Sequence, residues 1–348
     1  MLLVGVQLVW SYRPPSTTKI GCDVPEILVI ILSYNCRDDT CECLGSLIKH
    51  SCPGMGILVI DNASTDGAPA LIRQRFPEVE LITMAENSGW SGGNNTGIKI
   101  ALERGYRSVC LLNSDTVVTA NAISSLARVA AENQPCLLHP AIYYYDEPEV
   151  PQLDPSARDE PGQLEARPIS ESLFALSHAF GACLVVSAEV FRKVGLLDER
   201  LFLMGEDEDI YRRALKYGYP SLCTIEARIY HKASRSFGNV RTPVKTYYSV
   251  RNTLLVGGKH ARNFWDYVRL LKSLYWSLYY FAAIPTEKKN RSALFIIWAV
   301  SRDPFARATR LAIRDLLLRR FGRIREIDAR RLTGADRPVA SGEAAPSN

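Results

Sequence analysis

Four apolar runs of strand length, each followed by a helix-length stretch, constrain the fold of this chain more than any other feature. ILVIILS (27–33), ILVID (57–61), VELIT (79–83) and VCLLN (109–113) are rich in Ile, Val and Leu, with little polar–apolar alternation. Such runs are buried on both faces, and strands separated by helices pair in parallel through βαβ crossovers. Helices are predicted near 39–50, 68–76, 93–104 and 120–132. Polar residues follow the strands: Tyr34 and Asn35, Asp61 and Asn62, then Asn113, Ser114 and Asp115. Open parallel sheets bind ligands at the carboxyl ends of their strands, so the site is expected there. The predicted class is α/β: a mostly parallel central sheet flanked by helices, with a C-terminal helical extension.

The segment 146–172 is rich in Pro, Asp, Glu and Ser without periodicity and reads as a long surface loop. Order returns with HAFGACLVVS (178–187), a helix near 188–194 and GEDEDIYRRALKYGY (205–219). CTIEARIYH (223–231) reads as a strand ending at His231. Beyond residue 258, FWDYVRLLKSLYWSLYYFAAI (264–284) is aromatic and apolar but interrupted by Asp266, Arg269 and Lys272. The uncharged runs 273–284 and 293–300 are too short to span a bilayer. Pro304 opens a helix with Arg307, Arg310 and Arg314 beside Leu311, Ile313, Leu316 and Leu317. Two readings of this region stay open: docking on an anionic membrane surface, and a helical cap packed on the sheet with a solvated basic face.

Composition excludes several classes. With 47% hydrophobic and 23% charged residues, the chain is neither disordered nor fibrous. The net charge is +5, and eleven arginines face five carboxylates between Arg302 and Arg337. The tail therefore carries more than the whole excess, and nothing argues for a nucleic-acid partner. Nine cysteines are present; Cys36, Cys41, Cys43 and Cys52 are not at a usual zinc spacing and read as reduced thiols. Residues 2–10 are apolar without a basic leader or a small-residue cleavage site, so a cytoplasmic location is expected.

Four constellations carry chemistry. Asn113-Ser114-Asp115 follows a buried strand, where a carboxylate can bind a divalent cation that clamps a diphosphate, or simply close an Asx turn. Asp61 and Asn62 end a strand and can meet a nucleobase or ribose edge, with Ser64 or Thr65 capping the next helix. In Glu86–Gly97, Asn87, Trp90, Gly92 and Asn94 belong to a glycine-rich turn ahead of a helix, suited to close backbone approach and phosphate. The stretch fits neither the dinucleotide nor the P-loop pattern. Gly205-Glu206-Asp207-Glu208-Asp209 opens a helix; Glu206 and Asp209 share a face and Asp207 points elsewhere. These carboxylates match the helix dipole or supply a general base for a sugar hydroxyl.

In this order, VIDNASTDG, ENSGWSGGNNTGI, LLNSDT, VGLLDERLFLMGEDEDIYRRALKYGY and YYSVRN (247–252) resemble the family-2 inverting glycosyltransferases of GT-A fold, in the rhamnosyltransferase and galactofuranosyltransferase-like branch. The resemblance covers roughly residues 27–252. It implies a catalytic domain over 26–258, preceded by an N-terminal extension (1–25); composition marks off a basic, aromatic helical region (259–331) and a tail that reads as disordered (332–348). The resemblance implies a base contact at Asp61 and Asn62 and a donor site that also draws on Tyr34, Asn35, Asn87, Gly92, Asn94, Asn113, Ser114 and Asp115. Asp207 becomes the base, and Asp115 and His231 ligands of Mg²⁺ or Mn²⁺. The family's D-x-D appears as Asn113-Ser114-Asp115, without its first carboxylate. Glu206, Trp90, Arg251 and Asn252 are expected near the acceptor or diphosphate. The expected substrates are a dTDP- or UDP-sugar, with rhamnose first, and a polysaccharide or lipid-linked glycan. The alternatives are a sugar nucleotidylyltransferase, which lacks its phosphate loop after the first strand here, and a non-catalytic glycan- or lipid-binding relative.

Overall fold

A computed structural model describes residues 26–157, 166–232, 242–281 and 298–333. The expected N-terminal extension and most of the expected disordered tail lie outside the described residues. The first half runs β1 (Ile27–Ser33), α1 (Arg37–Lys49), β2 (Met55–Asp61), α2 (Ala68–Arg75), β3 (Glu80–Thr83), α3 (Gly89–Glu103), β4 (Ser108–Asn113), β5 (Thr116–Val118) and α4 (Ala122–Glu132). It continues with β6 (Leu137–Tyr144), β7 (Pro151–Leu153), β8 (Ala166–Pro168), β9 (Leu173–Leu176), β10 (Cys183–Ser187), α5 (Ala188–Val194), α6 (Glu206–Leu215) and β11 (Ser221–His231). Four helices follow: α7 (Pro243–His260), α8 (Phe264–Phe281), α9 (Pro304–Leu317) and α10 (Glu326–Thr333).

The sheet order is β3-β2-β1-β4-β10-β6-β11-β9-β8, with β5 on β11 and β7 on β6. From β3 to β4 every pairing is parallel, as the unalternating runs imply. Beyond β4 the sheet is mixed: β10 is antiparallel to β4 and β6, whereas β11 runs parallel to β6. The expected surface loop at 146–172 instead contributes β7, β8 and the start of a short ladder with β9.

Alternate residues of β1 feed opposite cores, as strand geometry requires. Ile27, Val29 and Ile31 pack with α1, α2 and α4, through Leu44, Leu47, Ile72 and Leu126. Leu28 and Ile30 pack with α3, α5 and α6, through Ile98, Phe191 and Ile210. A third core joins Tyr247, Tyr248 and Val250 of α7 to Ala308 and Ala312 of α9 and Leu332 of α10. The basic helix is thus part of a packed helical cap. Asp303 caps it, accepting from the amides of Phe305 and Ala306 at 2.9 and 3.0 Å. No helix among the described residues is long and apolar enough to cross a membrane.

The glycine-rich segment is helix from Gly89 onward, not a turn. Its glycines let α3 lie against β1: a Cβ at Gly93 would fall 2.3 Å from Leu32 Cδ1, and one at Gly97 2.8 Å from Ile30 Cδ1. The close approach is to the sheet.

Candidate active site

At the end of β2, Asp61 is fully buried; its Oδ2 accepts from the Ser64 amide at 3.1 Å, while Oδ1 has no partner. The neighbouring side chains are spent internally. Asn62 donates to Asn87 Oδ1 (3.0 Å) and Gly89 O (3.1 Å) and accepts from the Ser88 amide and hydroxyl. Asn35 accepts from the Thr65 amide at 2.8 Å, and Asn94 donates to Trp90 O at 2.9 Å. Gly92 is buried within the first turns of α3, with room for no Cβ against Ser88. Neither Ser64 nor Thr65 caps α2; its N-cap is Gly67, and Asp66, one residue ahead, accepts from the Ala68 amide at 3.0 Å. Tyr34 stays exposed. Asn35, Asn62 and Asn87 therefore stitch loops together, Asn94 bonds within α3, and Asp61 Oδ1 stays a buried acceptor without a partner.

β4 ends at Asn113, and a tight turn, with Thr116 Oγ1 donating to Asn113 O at 2.7 Å, leads into β5. β5 pairs antiparallel with β11, placing His231 opposite Thr116. His231 Nε2 consequently lies 3.3 Å from buried Asp115 Oδ1 and 3.5 Å from Asn113 Nδ2. Gln152 of β7, which no sequence signal singled out, orients the ring. Its amide nitrogen donates to His231 O at 2.9 Å, so its oxygen faces Nδ1 at 2.8 Å. Nδ1 then carries the proton, and Nε2 turns a lone pair toward a carboxylate. A carboxylate oxygen and an imidazole nitrogen so placed could hold a divalent metal. No cluster of three His, Cys, Asp or Glu gathers among the described residues. Ser114 contacts Cys36 Sγ at 3.1 Å, and Trp90 Nε1 donates to Asn113 at 3.4 Å. The eight described cysteines are free.

α6 starts at Gly205, whose φ of +93° suits glycine. Glu206 is buried with Oε2 unpartnered. Burial first, and then the charge of Asp207, drive its carboxyl far above the usual range. Burial also raises Asp207, against the pull of the Glu208 amide, which donates to its Oδ1 at 2.8 Å. Asp209, fully buried, goes the other way. Burial would raise it, but His260, Arg213 and Lys259, each within 2.9 Å, outweigh that and hold it at about 2. Asp207 and the metal-type pair share one edge of the sheet. Asp207 Oδ2 lies 3.5 Å from where a Gly181 Cβ would sit, and the next residue, Ala182, accepts from the Asn113 amide at 3.0 Å.

Arg251 and Asn252, expected near the acceptor or diphosphate, are buried and serve as scaffolding. Arg251 donates to Arg200 O, Leu201 O, Gly322 O, Tyr247 Oη and Asn252 Oδ1 at 2.8–3.2 Å. Asn252 donates to the carbonyls of Leu201, Leu203 and Met204. Together they hold the loop that delivers α6.

Residues 28–195 match the family described as Glycosyl transferase family 2. The chain is 28% identical over 196 residues to the low-salt glycan biosynthesis hexosyltransferase Agl10 of Haloferax volcanii, covering 54% of this chain and 61% of that one. It is 25% identical to the dTDP-rhamnosyl transferase RfbF of Shigella flexneri, covering 76% and 90%. It is 26% identical to the N-acetylglucosaminyl-diphospho-decaprenol L-rhamnosyltransferase of Mycobacterium tuberculosis, covering 60% and 77%. Among solved structures, GalNAc-T7 with UDP, GalNAc and Mn²⁺ superposes with a TM-score of 0.58 at 15% identity, over 78% of this chain and 54% of that one. The fold is GT-A.

Proposed function

Residues 28–195 belong to glycosyltransferase family 2, and from that premise we propose that the chain moves a sugar, rhamnose first, from a nucleotide-diphosphate donor to a hydroxyl of a polysaccharide or lipid-linked glycan, with inversion. The observation that carries this reading is the adjacency of two unlike groups on one sheet edge: Asp207 with its raised carboxyl, and the Asp115–His231 pair. Inverting transfer needs a base on the acceptor hydroxyl and neutralisation of the departing diphosphate, with no covalent intermediate.

Asp207 serves as that base; its raised pKa brings it closer to the working pH, where proton transfer is most effective. Asp115 and His231 would hold Mg²⁺ or Mn²⁺, which when bound neutralises diphosphate charge. Asp61 Oδ1 is placed to accept from a nucleobase N–H, which would relieve the cost of an unpaired buried acceptor. Glu206 stays protonated, so Asp207 ionises beside a neutral neighbour. The names of the Shigella and mycobacterial relatives support a rhamnosyl donor, and the Mn²⁺ and UDP of the GalNAc-T7 structure support the metal and nucleotide.

Calorimetric titration with dTDP- and UDP-sugars, with and without Mn²⁺, tests the reading. Mn²⁺-dependent binding of one diphosphate sugar, abolished by Asp115→Ala, is expected. Failure of every member to bind would return the chain to a non-catalytic relative of the same fold.

A further inference from the structure

Asp115 and His231 come from two separate chain segments, and one face of α1 touches both. Asp39, Glu42, Cys43 and Ser46 follow the i, i+3, i+4, i+7 spacing that aligns side chains along a helix. Cys43 Sγ lies 3.6 Å from Thr116 Oγ1, and Ser46 Oγ accepts from the Val118 amide at 3.1 Å. Cys36, the N-cap of α1, meets Ser114 Oγ at 3.1 Å. The β4–β5 turn that presents Asp115 is thus held along its length by this helix.

The end of β11 is held by the other two residues of the same face. Lys232 follows His231 directly, and its side chain is only 4% exposed. Its ammonium donates to Asp39 Oδ1 at 2.6 Å and to Glu42 Oε2 at 2.5 Å, and lies 5.1 Å from the centre of the Tyr145 ring. Tyr145 Oη donates to the other oxygen of Glu42 at 2.8 Å, while the Tyr145 amide donates to His231 O at 3.1 Å. The Lys232 amide closes the circuit by donating to Asp115 O at 3.0 Å. An ammonium enclosed by two carboxylates and an aromatic face has few positions open to it, so the backbone on either side of it is fixed as well.

Building on the reading of Asp115 and His231 as holders of a divalent cation, we propose that Lys232 is a positioning residue for that cation. Clamped by Asp39, Glu42 and Tyr145, it locks the backbones of both ligand residues against α1, and its ammonium is spent on the two carboxylates. Charge and position make opposite demands here. Lys232 places positive charge near a cation site, so by Coulomb's law alone a neutral residue there, with Asp39 and Glu42 set free, would tighten the metal. A clamp requires the reverse, because Asp115 and His231 gain freedom that binding must then remove.

The test is made on the full chain with Mn²⁺, alone and with UDP or dTDP, reading the free ion by its electron paramagnetic resonance signal. Lys232→Met is expected to weaken Mn²⁺ on the order of 10-fold or more, and Lys232→Arg to recover most of the loss, since a guanidinium can bridge two carboxylates. Tyr145→Leu changes no charge and is expected to weaken Mn²⁺ by a smaller factor; it carries the test if circular dichroism shows Lys232→Met unfolded. Unchanged or tighter Mn²⁺ in folded Lys232→Met would overturn the proposal. So would a loss that Lys232→Arg does not recover, or unchanged affinity in Tyr145→Leu. A parent chain that takes up no Mn²⁺ with either nucleotide would instead remove the metal reading on which the proposal rests.

Discussion

His231 Nε2 lies 3.3 Å from Asp115 Oδ1, and Gln152 fixes the imidazole so that this nitrogen presents a lone pair. The β5–β11 pairing sets the distance; Gln152 sets the tautomer. Gln152→Leu should therefore weaken Mn²⁺ about 10- to 100-fold, the range for outer partners of ligating histidines. Calorimetry with Mn²⁺ and nucleotide reads this directly. Unchanged affinity would detach Gln152, and the tautomer argument, from the metal.

Asp207 must be ionised to take a proton. Because burial raises its pKa, the acid limb of kcat/KM should lie above the ordinary carboxylate value of about 4. The charge of Glu208 contributes to that rise, so Glu208→Gln should move the limb to lower pH. Asp207→Asn should lower kcat on the order of 100- to 10,000-fold at every pH. A limb that stayed in place in Glu208→Gln would assign it to another group.

Glu206 and Asp209 occupy one face of α6 in opposite charge states, and their stability signatures have opposite signs. The Glu206 pKa is raised on folding, so the native state holds a proton that the unfolded chain releases. Stability is then lost as pH rises through the interval between the unfolded and folded values. Glu206→Gln should gain about 1–3 kcal/mol over the parent at alkaline pH and little at acid pH. For Asp209, lowered to about 2, stability is present above the unfolded value and lost as pH falls through the folded one. Asp209→Asn leaves Arg213, Lys259 and His260 facing a neutral amide and should cost about 3–5 kcal/mol near neutrality. Urea unfolding across pH separates the two.

Gly97→Ala should destabilise by about 1–3 kcal/mol, although alanine is the better helix former. The new methyl meets three atoms of the fully buried Ile30 at 2.8–3.1 Å. A gain in thermal stability would mean that α3 can retreat from β1 at no cost.

The β1–α4 half was legible because strands buried on both faces write themselves as unbroken apolar runs. The helical character of 89–92 was not, since Gly and Ser weaken local helix propensity and the close approaches that call for glycine here, Gly89 to Phe202 and Gly93 to Leu32, are tertiary. The carboxylates and His231 stood out by type and by their place after strands. Gln152 did not, because a glutamine in a Pro- and acid-rich stretch carries no pattern, and its partner arrives only through the β6–β7 and β6–β11 pairings. Arg251 and Asn252 were visible as polar residues, but backbone carbonyls leave no trace in sequence, so what they bind was not.

That scaffolding makes the sharpest prediction for a residue outside the reacting centre. Arg251 spreads a rigid fork over five acceptors, three of them backbone carbonyls at Arg200, Leu201 and Gly322. Lysine keeps the charge but has three donors on a flexible stem, so Arg251→Lys strands at least two buried acceptors. At about 1–3 kcal/mol each, the cost should be about 2–5 kcal/mol in denaturant unfolding. The freed 200–204 loop delivers Gly205 and the carboxylates of α6, whereas Asp115 and His231 are held by β4, β5 and β11. Transfer should therefore slow while Mn²⁺–nucleotide affinity holds. A variant that lost metal affinity in step with rate would show that the two halves of the site depend on one support.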